Sequence, residues 1–291
     1  MGDVANAPLK ASRAARLLAV DLDGTLLDHQ GNPHARDLRA LREAKRAGIA
    51  ISILTGRLYS GTKAAALAAS IDGPVGCADG SHIVRVSDST TLLHLGLIGV
   101  GANRLRAAVN ETRPATFLFA SDRIVHDSAG HDYLTYLTTW SQELEHTDVI
   151  DDHDVWDLPS GITAVVCVGT SEQIHAVVHA VNAEARESVQ VAAFPIRKLD
   201  QWGLVARAAG GTKGTALRWL AEHHGYSVAE TVCVGDWLND VSMFRVAGRS
   251  FAMGHAPADV KDVATDVLLE TSEAGGGVAT AIDRAFGIRV P

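Results

Sequence analysis

Short apolar runs alternate with longer amphipathic ones along most of this chain. Leu17–Val20 and Ile49–Leu54 read as buried strands, and Ala35–Ala47, rich in Ala, Leu, Arg and Lys, and Gly61–Ala69 read as helices. The rhythm returns near the end, with a helix over Thr215–His224, a strand over Thr231–Val234 and a helix over Asp240–Ala247. Short apolar segments follow around Ser250–Met253 and Val267–Leu269. Strands separated by helical segments predict a parallel sheet with helices on both faces.

The middle of the chain has a different texture. Ile83–Val86, Thr91–Leu95, Thr116–Ala120 and Arg123–His126 read as short strands broken by turn residues, and Asp148–Asp157 as a charged connection. A strand over Ile162–Val168, a helix over Ser171–Ala185 and strands near Val189–Phe194 and over Gly203–Ala208 lead to a turn at Gly210–Gly211. An α+β domain inserted between two halves of an α/β core is the simplest account. The expected division is a core of residues 1–84 and 209–291 and an insert of residues 85–208. A length of 291 residues suits two domains of roughly 150 residues each.

Composition narrows the classes. With 47% hydrophobic and 21% charged residues and only 8 Pro, the chain is neither disordered nor collagen-like. No apolar run approaches the ~18 residues of a membrane span, and Leu17–Val20 is too short for a secretory core. Cys77, Cys167 and Cys233 lie far apart in apolar settings and read as buried thiols of a cytoplasmic protein. The net charge of −8 and the lack of a basic run argue against nucleic acid as a partner. That charge reads first as ordinary surface solubility.

The strongest chemical signal is Leu17-Leu-Ala-Val-Asp21-Leu-Asp23-Gly24-Thr25. A buried strand runs straight into two carboxylates two residues apart, which on a strand point the same way. They crowd the carboxyl edge of the sheet, where open α/β folds hold ligands. Close carboxylates repel unless they share a proton or a cation neutralises them, and hard oxygen ligands suit Mg²⁺. A second strand ends in Gly235-Asp236, with Asn239 and Asp240 following. Alone, Asp236 also reads as a helix cap and Asp240 as ordinary first-turn chemistry. Together the two strand ends make a coherent metal site.

Two further segments offer phosphate chemistry. Thr55-Gly56-Arg57 follows a strand and precedes a helix, placing a hydroxyl and backbone N–H groups where an anion binds, although Thr-Gly turns are common. Gly210-Gly211-Thr212-Lys213-Gly214-Thr215 superficially looks like a nucleotide-binding P-loop, but its residue order is wrong. Lys213 at a helix start sits against the helix dipole, which makes sense if it faces carboxylates or a phosphate.

Taken in order, Asp21/Asp23, Thr55, Lys213 and Asp236/Asp240 resemble the four motifs of the haloacid dehalogenase-like phosphatases. The resemblance is to their Cof-type branch (subfamily IIB), and the tail segments Phe251–Ala264 and Glu273–Ala279 extend it over nearly the whole chain. It implies a Rossmann-like parallel-sheet core with an α+β cap between the second and third motifs. It implies Asp21 as nucleophile forming an aspartyl-phosphate, and Asp23 as the acid and then base. Mg²⁺ would be held by Asp21, the backbone carbonyl of Asp23 and Asp236, with Asp240 beside it. Thr55, Gly56 and Lys213 would bind the phosphoryl group, and Asn239 would support Lys213 or the phosphate. The implied activity is hydrolysis of a small phosphorylated metabolite, such as a sugar or polyol phosphate or a phosphorylated cofactor precursor. A phosphomutase and a non-catalytic sugar-phosphate sensor are the alternatives.

One departure stands out. The branch usually has Asn-Gly-Ala before its cap, whereas this chain has Asp79-Gly80-Ser81, which removes an amide donor and adds a negative charge. Other constellations read as structural. His175 and His179 lack the intervening Glu of a zinc helix, and Trp140 and Trp156 suit core packing. Arg197, Lys198 and Asp200 precede the third motif and are candidates for touching substrate.

Overall fold

The computed structural model describes residues 15–196 and 199–291. Residues 1–14 and the candidate substrate-touching residues Arg197 and Lys198 lie outside the described residues.

Strands β1 (Leu17–Val20) and β2 (Ala50–Ile53) form a five-stranded parallel sheet with β12 (Thr231–Gly235), β13 (Arg249–Ala252) and β14 (Asp266–Val267), in the order β14-β13-β12-β1-β2. The continuous apolar run of β1 follows from burial on both faces. Leu18 and Val20 join a cluster with Ala40, Leu41 and Ala44 of α1 (Ala35–Arg46) and Ala281 and Ile282 of α9 (Gly277–Phe286). Leu17 and Ala19 face Ala216, Leu217 and Leu220 of α6 (Lys213–His223) instead. Each fully buried Leu is worth roughly 1.5–3 kcal/mol against exposure. Buried Asp37 of α1 ties the layers together by accepting the backbone N–H groups of Gly276 (2.8 Å) and Ala279 (2.7 Å) at the start of α9.

After α2 (Tyr59–Ala68), strands β3 (Pro74–Cys77), β4 (His82–Arg85) and β5 (Thr90–His94) form a small antiparallel sheet. Its Val84 and Val86 pack with β1, and Ile83 packs with α6. Position 84/85, where the sequence suggests the insert begins, thus lies inside β4. The chain enters the hydrophobic cluster of the next sheet at Leu97.

That sheet contains β6 (Ala115–Ala120), β7 (Arg123–His126), β8 (Leu144–His146), β9 (Ala164–Gly169), β10 (Val189–Ile196) and β11 (Gln201–Ala208), in the order β10-β11-β9-β6-β7-β8. Side chains alternate strictly between its faces. Leu118, Val165, Cys167 and Leu204 pack beneath α3 (Gly99–Thr112) and α5 (Ser171–Glu184). Phe117, Phe119, Val166 and Val168 point the other way, with Leu137 and Trp140, with Leu58 after β2 and with Ala78 after β3. This second face lies over the loops that leave β2 and β3.

Several elements differ from the sequence pattern, which leaves β3 and β8 unmarked. Helices α3 and α9 escape it because each opens on glycine-rich sequence, Gly99-Val-Gly101 and Gly275-Gly276-Gly277. The expected helix over 240–247 is a 3₁₀ turn (Leu238–Asp240) followed by the single turn α7 (Val241–Phe244). Cys77, Cys167 and Cys233 are buried and free, and burial pushes the thiols of Cys77 and Cys167 up to about 12. Trp156 is core, donating from Nε1 to the carbonyl of Ile150 (3.0 Å), and His175 packs on the Trp202 ring. Among the described residues, no helix is long and apolar enough to cross a membrane.

Candidate active site

Residues from four segments meet at the carboxyl edge of the parallel sheet. Asp21 follows β1 and Asp236 follows β12, and Asp21 N–H donates to the Val234 carbonyl (3.0 Å), joining the two strand ends. Lys213 is the first residue of α6, capped by Thr212, whose hydroxyl accepts from Thr215 N–H. Its Nζ lies 2.5 Å from Asp21 Oδ1 and 2.6 Å from Asp240 Oδ1, fully shielded from solvent. The cation at the unfavourable end of a helix is thus explained by two buried carboxylates.

The electrostatics favour a cation. Asp21, Asp236 and Asp240 each bring one carboxylate oxygen within 4.8 Å of the others. Ionised, three buried carboxylates against one ammonium would leave two negative charges in excess. Burial raises the Asp21 pKa well above its ordinary value, Asp240 and Asp236 add to the rise, and Lys213 opposes it. Asp236 is likewise raised by burial and by Asp240, against the hydrogen bond from Thr25 and the pull of His255. Burial alone would depress Lys213, but Asp21, Asp240 and Asp79 outweigh it and hold the ammonium charged. The donor set of hard oxygens and residual charge fits a divalent cation such as Mg²⁺.

The three acids differ in what their oxygens do. Asp240 is fully engaged, since Oδ1 meets Lys213 and Oδ2 accepts the N–H groups of Asp236 (2.8 Å) and Trp237 (2.9 Å). It braces the loop that presents Asp236. Asp236 Oδ1 accepts from the Thr25 hydroxyl (3.0 Å), and Oδ2 lies 3.4 Å from His255 Nε2. Gly24 makes this approach possible: its φ is +82°, and a Cβ there would fall 2.5 Å from Asp236 Oδ2.

The remaining predicted residues surround this centre. The Asp23 carboxylate is half exposed and outside the buried trio, held by Arg57 through Nε (2.8 Å) and Nη2. Thr55 is buried, and its hydroxyl accepts from Arg57 N–H (3.2 Å). Gly56 lies against Asp79. Asn239 donates from Nδ2 to Asp79 Oδ1 (2.7 Å) rather than supporting Lys213. Asp79 is buried in a left-handed conformation (φ +52°) and is also paired with Arg207 of β11. Burial would raise its pKa, but Arg207, Lys213 and the Asn239 hydrogen bond together hold it below the ordinary carboxylate value.

Sequence reasoning passed over Arg57, Thr25, His255 and Arg207 as functional. Arg57 and Thr25 adjoin motif residues and could have been suspected from position. His255 and Arg207 carry no local signal, because only the tertiary fold brings them to the site.

A family model for haloacid dehalogenase-like hydrolases matches residues 18–282. The chain is 26% identical over 264 residues to a pyridoxal phosphate phosphatase of Escherichia coli, covering 87% of this chain and 93% of the relative. It is 27% identical over 292 residues to a 5-amino-6-(5-phospho-D-ribitylamino)uracil phosphatase of Bacillus subtilis, covering 92% and 97%. A haloacid dehalogenase-like hydrolase from Bacteroides thetaiotaomicron superposes with a TM-score of 0.77 at 22% identity, covering 94% of this chain and 100% of that one. Motifs, fold and a family match spanning most of the sequence agree, and the chain belongs to the haloacid dehalogenase-like hydrolases, in line with the Cof-type branch its motifs resemble.

Proposed function

We propose that this protein is a Mg²⁺-dependent phosphatase of small phosphorylated metabolites, working through an aspartyl-phosphate on Asp21. The observation that carries this reading is the buried set of Asp21, Asp236 and Asp240 around Lys213, with two negative charges in excess. The relatives named as phosphatases of small metabolites support it. Three free, buried cysteines fit action in the cytoplasm.

Asp21 and Asp236 would hold the cation, with Asp240 bracing Asp236 and Lys213. When bound, the cation would neutralise these carboxylates and draw charge from the phosphoryl oxygens. Asp21 attacks phosphorus; the new P–O bond forms as the bond to the leaving alkoxide breaks. Asp23 gives its proton to that alkoxide, then takes one from the water that displaces phosphate from Asp21. Lys213, the Thr55 hydroxyl and the backbone at Gly56 hold the equatorial oxygens, supplying the fixed charge on which phosphoryl transfer chiefly depends. The inserted domain, entered near Leu97, acts as a cap, its second face closing over the loops after β2 and β3 and excluding water.

The test is phosphate release from a panel of phosphorylated metabolites, with Mg²⁺ or with EDTA, for wild type and Asp21→Asn. Mg²⁺-dependent release by wild type alone, with a phosphorylated Asp21 peptide trapped by rapid quench, is the expected result. Equal release by both proteins would overturn the assignment. Isomerised sugar phosphate without free phosphate would identify a mutase, and binding without turnover would identify a sensor.

A further inference from the structure

Arg207 comes to the site from the second sheet, not from the parallel sheet whose strand ends carry the acids. On β11 it shares the face of Val205, which packs in the cluster containing Leu58 and Ala78. Its Nη1 donates to the Ala78 carbonyl (3.3 Å) and to Asp79 Oδ2, and both side chains of the ion pair are almost wholly buried. Asp79 in turn accepts from Asn239 and lies against Gly56, so the pair adjoins both the phosphate loop and the loop after β12. The guanidinium is not saturated, because its Nε–H is buried without a partner. A buried donor left unmet costs about 1–3 kcal/mol, which a ligand acceptor would recover.

The charge of the pair decides what kind of acceptor. Arg207 free of Asp79 would be a forked cation suited to carboxylate or phosphate. Paired, the two groups sum to zero, and a second anionic group on the substrate would be desolvated there with no net cation to offset the cost. A neutral hydroxyl, carbonyl or ring nitrogen meets no such penalty.

Building on the phosphatase reading, we propose that the Asp79–Arg207 pair determines leaving-group selectivity. It offers a charge-compensated donor to a neutral acceptor on the leaving group and disfavours substrates carrying a second anionic group. The Asp79-for-Asn departure thereby defines the substrate class: neutral polyol, sugar or heterocyclic monophosphates.

Glycerol phosphate and phosphoglycerate test this, because they differ in a hydroxymethyl group against a carboxylate. Their inhibition constants are measured with Mg²⁺ against a phosphate ester that wild type hydrolyses. Wild type should bind glycerol phosphate the more tightly. Asp79→Asn should shift the ratio toward phosphoglycerate by about tenfold, the scale of one unscreened charge in a partly buried site. Arg207→Gln should weaken glycerol phosphate, and the Asp79→Asn shift should vanish in the Asp79→Asn/Arg207→Gln double variant. An unmoved ratio in Asp79→Asn, or a double variant, neutral like the wild-type pair, shifted as far from wild type as Asp79→Asn alone, would overturn the inference. Should Asp79→Asn fail to fold, an unaltered wild-type ratio in Arg207→Gln would do so. Absence of phosphate release from every ester by wild type would instead count against the phosphatase reading itself.

Discussion

Arg57 grips the Asp23 carboxylate with two of its guanidinium nitrogens, while the carboxylate two residues earlier, on Asp21, is gripped by the Lys213 ammonium. Two acids on one strand end are thus separated into different environments, one half exposed against Arg57 and one buried with other acids. Divergent environments assign different roles to paired carboxylates. Asp23→Asn should lower kcat by about 10²–10⁴-fold, the usual span for losing a general acid–base group. Arg57→Gln should cost less and alter the pH–rate profile, because Asp23 loses the cation that orients it. A profile unchanged by Arg57→Gln would show that the pair is only structural.

Lys213→Met removes the cation that touches both Asp21 and Asp240 and leaves their charges uncompensated in the core. Breaking one side of a buried ion pair typically costs about 3–5 kcal/mol. In EDTA the variant should melt well below wild type, and millimolar Mg²⁺ should recover part of the loss by binding the folded trio. Calorimetric scans with and without the metal check this. No stabilisation by Mg²⁺ in either protein would argue against a cation at the three carboxylates.

Gly24→Ala places a Cβ in a left-handed conformation and drives it into Asp236. The conformation alone costs roughly 1–2 kcal/mol. The larger effect should be on chemistry, since Asp236 must move from Thr25 and from the trio. Weaker Mg²⁺ binding by titration calorimetry, beyond any change in melting temperature, is the expected result.

His82 supplies a pH prediction remote from the acids. Burial, helped by the neighbouring His94, lowers its pKa to about 4, and its Nε2 lies 2.9 Å from the Thr91 hydroxyl. Between pH 6.5, its ordinary value, and about 4, the unfolded chain binds a proton that the folded chain refuses. This contribution is therefore fully present above pH 6.5 and is lost as pH falls toward 4. Denaturant titrations should show a shallower acid-side loss of stability for His82→Gln than for wild type.

Much of the architecture was legible because burial leaves a local trace. The run at Leu17–Val20 marked a strand covered on both faces, and the acids at 21, 23 and 236 marked strand ends. The alternation of Phe117 and Phe119 with Leu118 and Ala120 sorts β6 between two clusters, although the unbroken apolar sequence does not say which face meets the core. Helices opening on glycine, such as α3 and α9, were invisible for the opposite reason. Their first turns lack propensity, and packing against other elements stabilises them.

The sequence by itself determined which side chains lie at strand ends, which runs are buried and which residues are candidates for acid, base and phosphate chemistry, because each depends on neighbours a few positions away. Only the tertiary structure decided what those groups touch. Placing β12 beside β1 brings Asp236 to Thr25 across 211 positions, and Lys213 meets Asp21 across 192. The second sheet brings Arg207 to Asp79 across 128. Such contacts arise from strand order and domain placement, which hydrophobic periodicity does not encode. The excess charge at the trio, the engagement of Asp240 and the neutralised Asp79 therefore emerge only when the chain is folded.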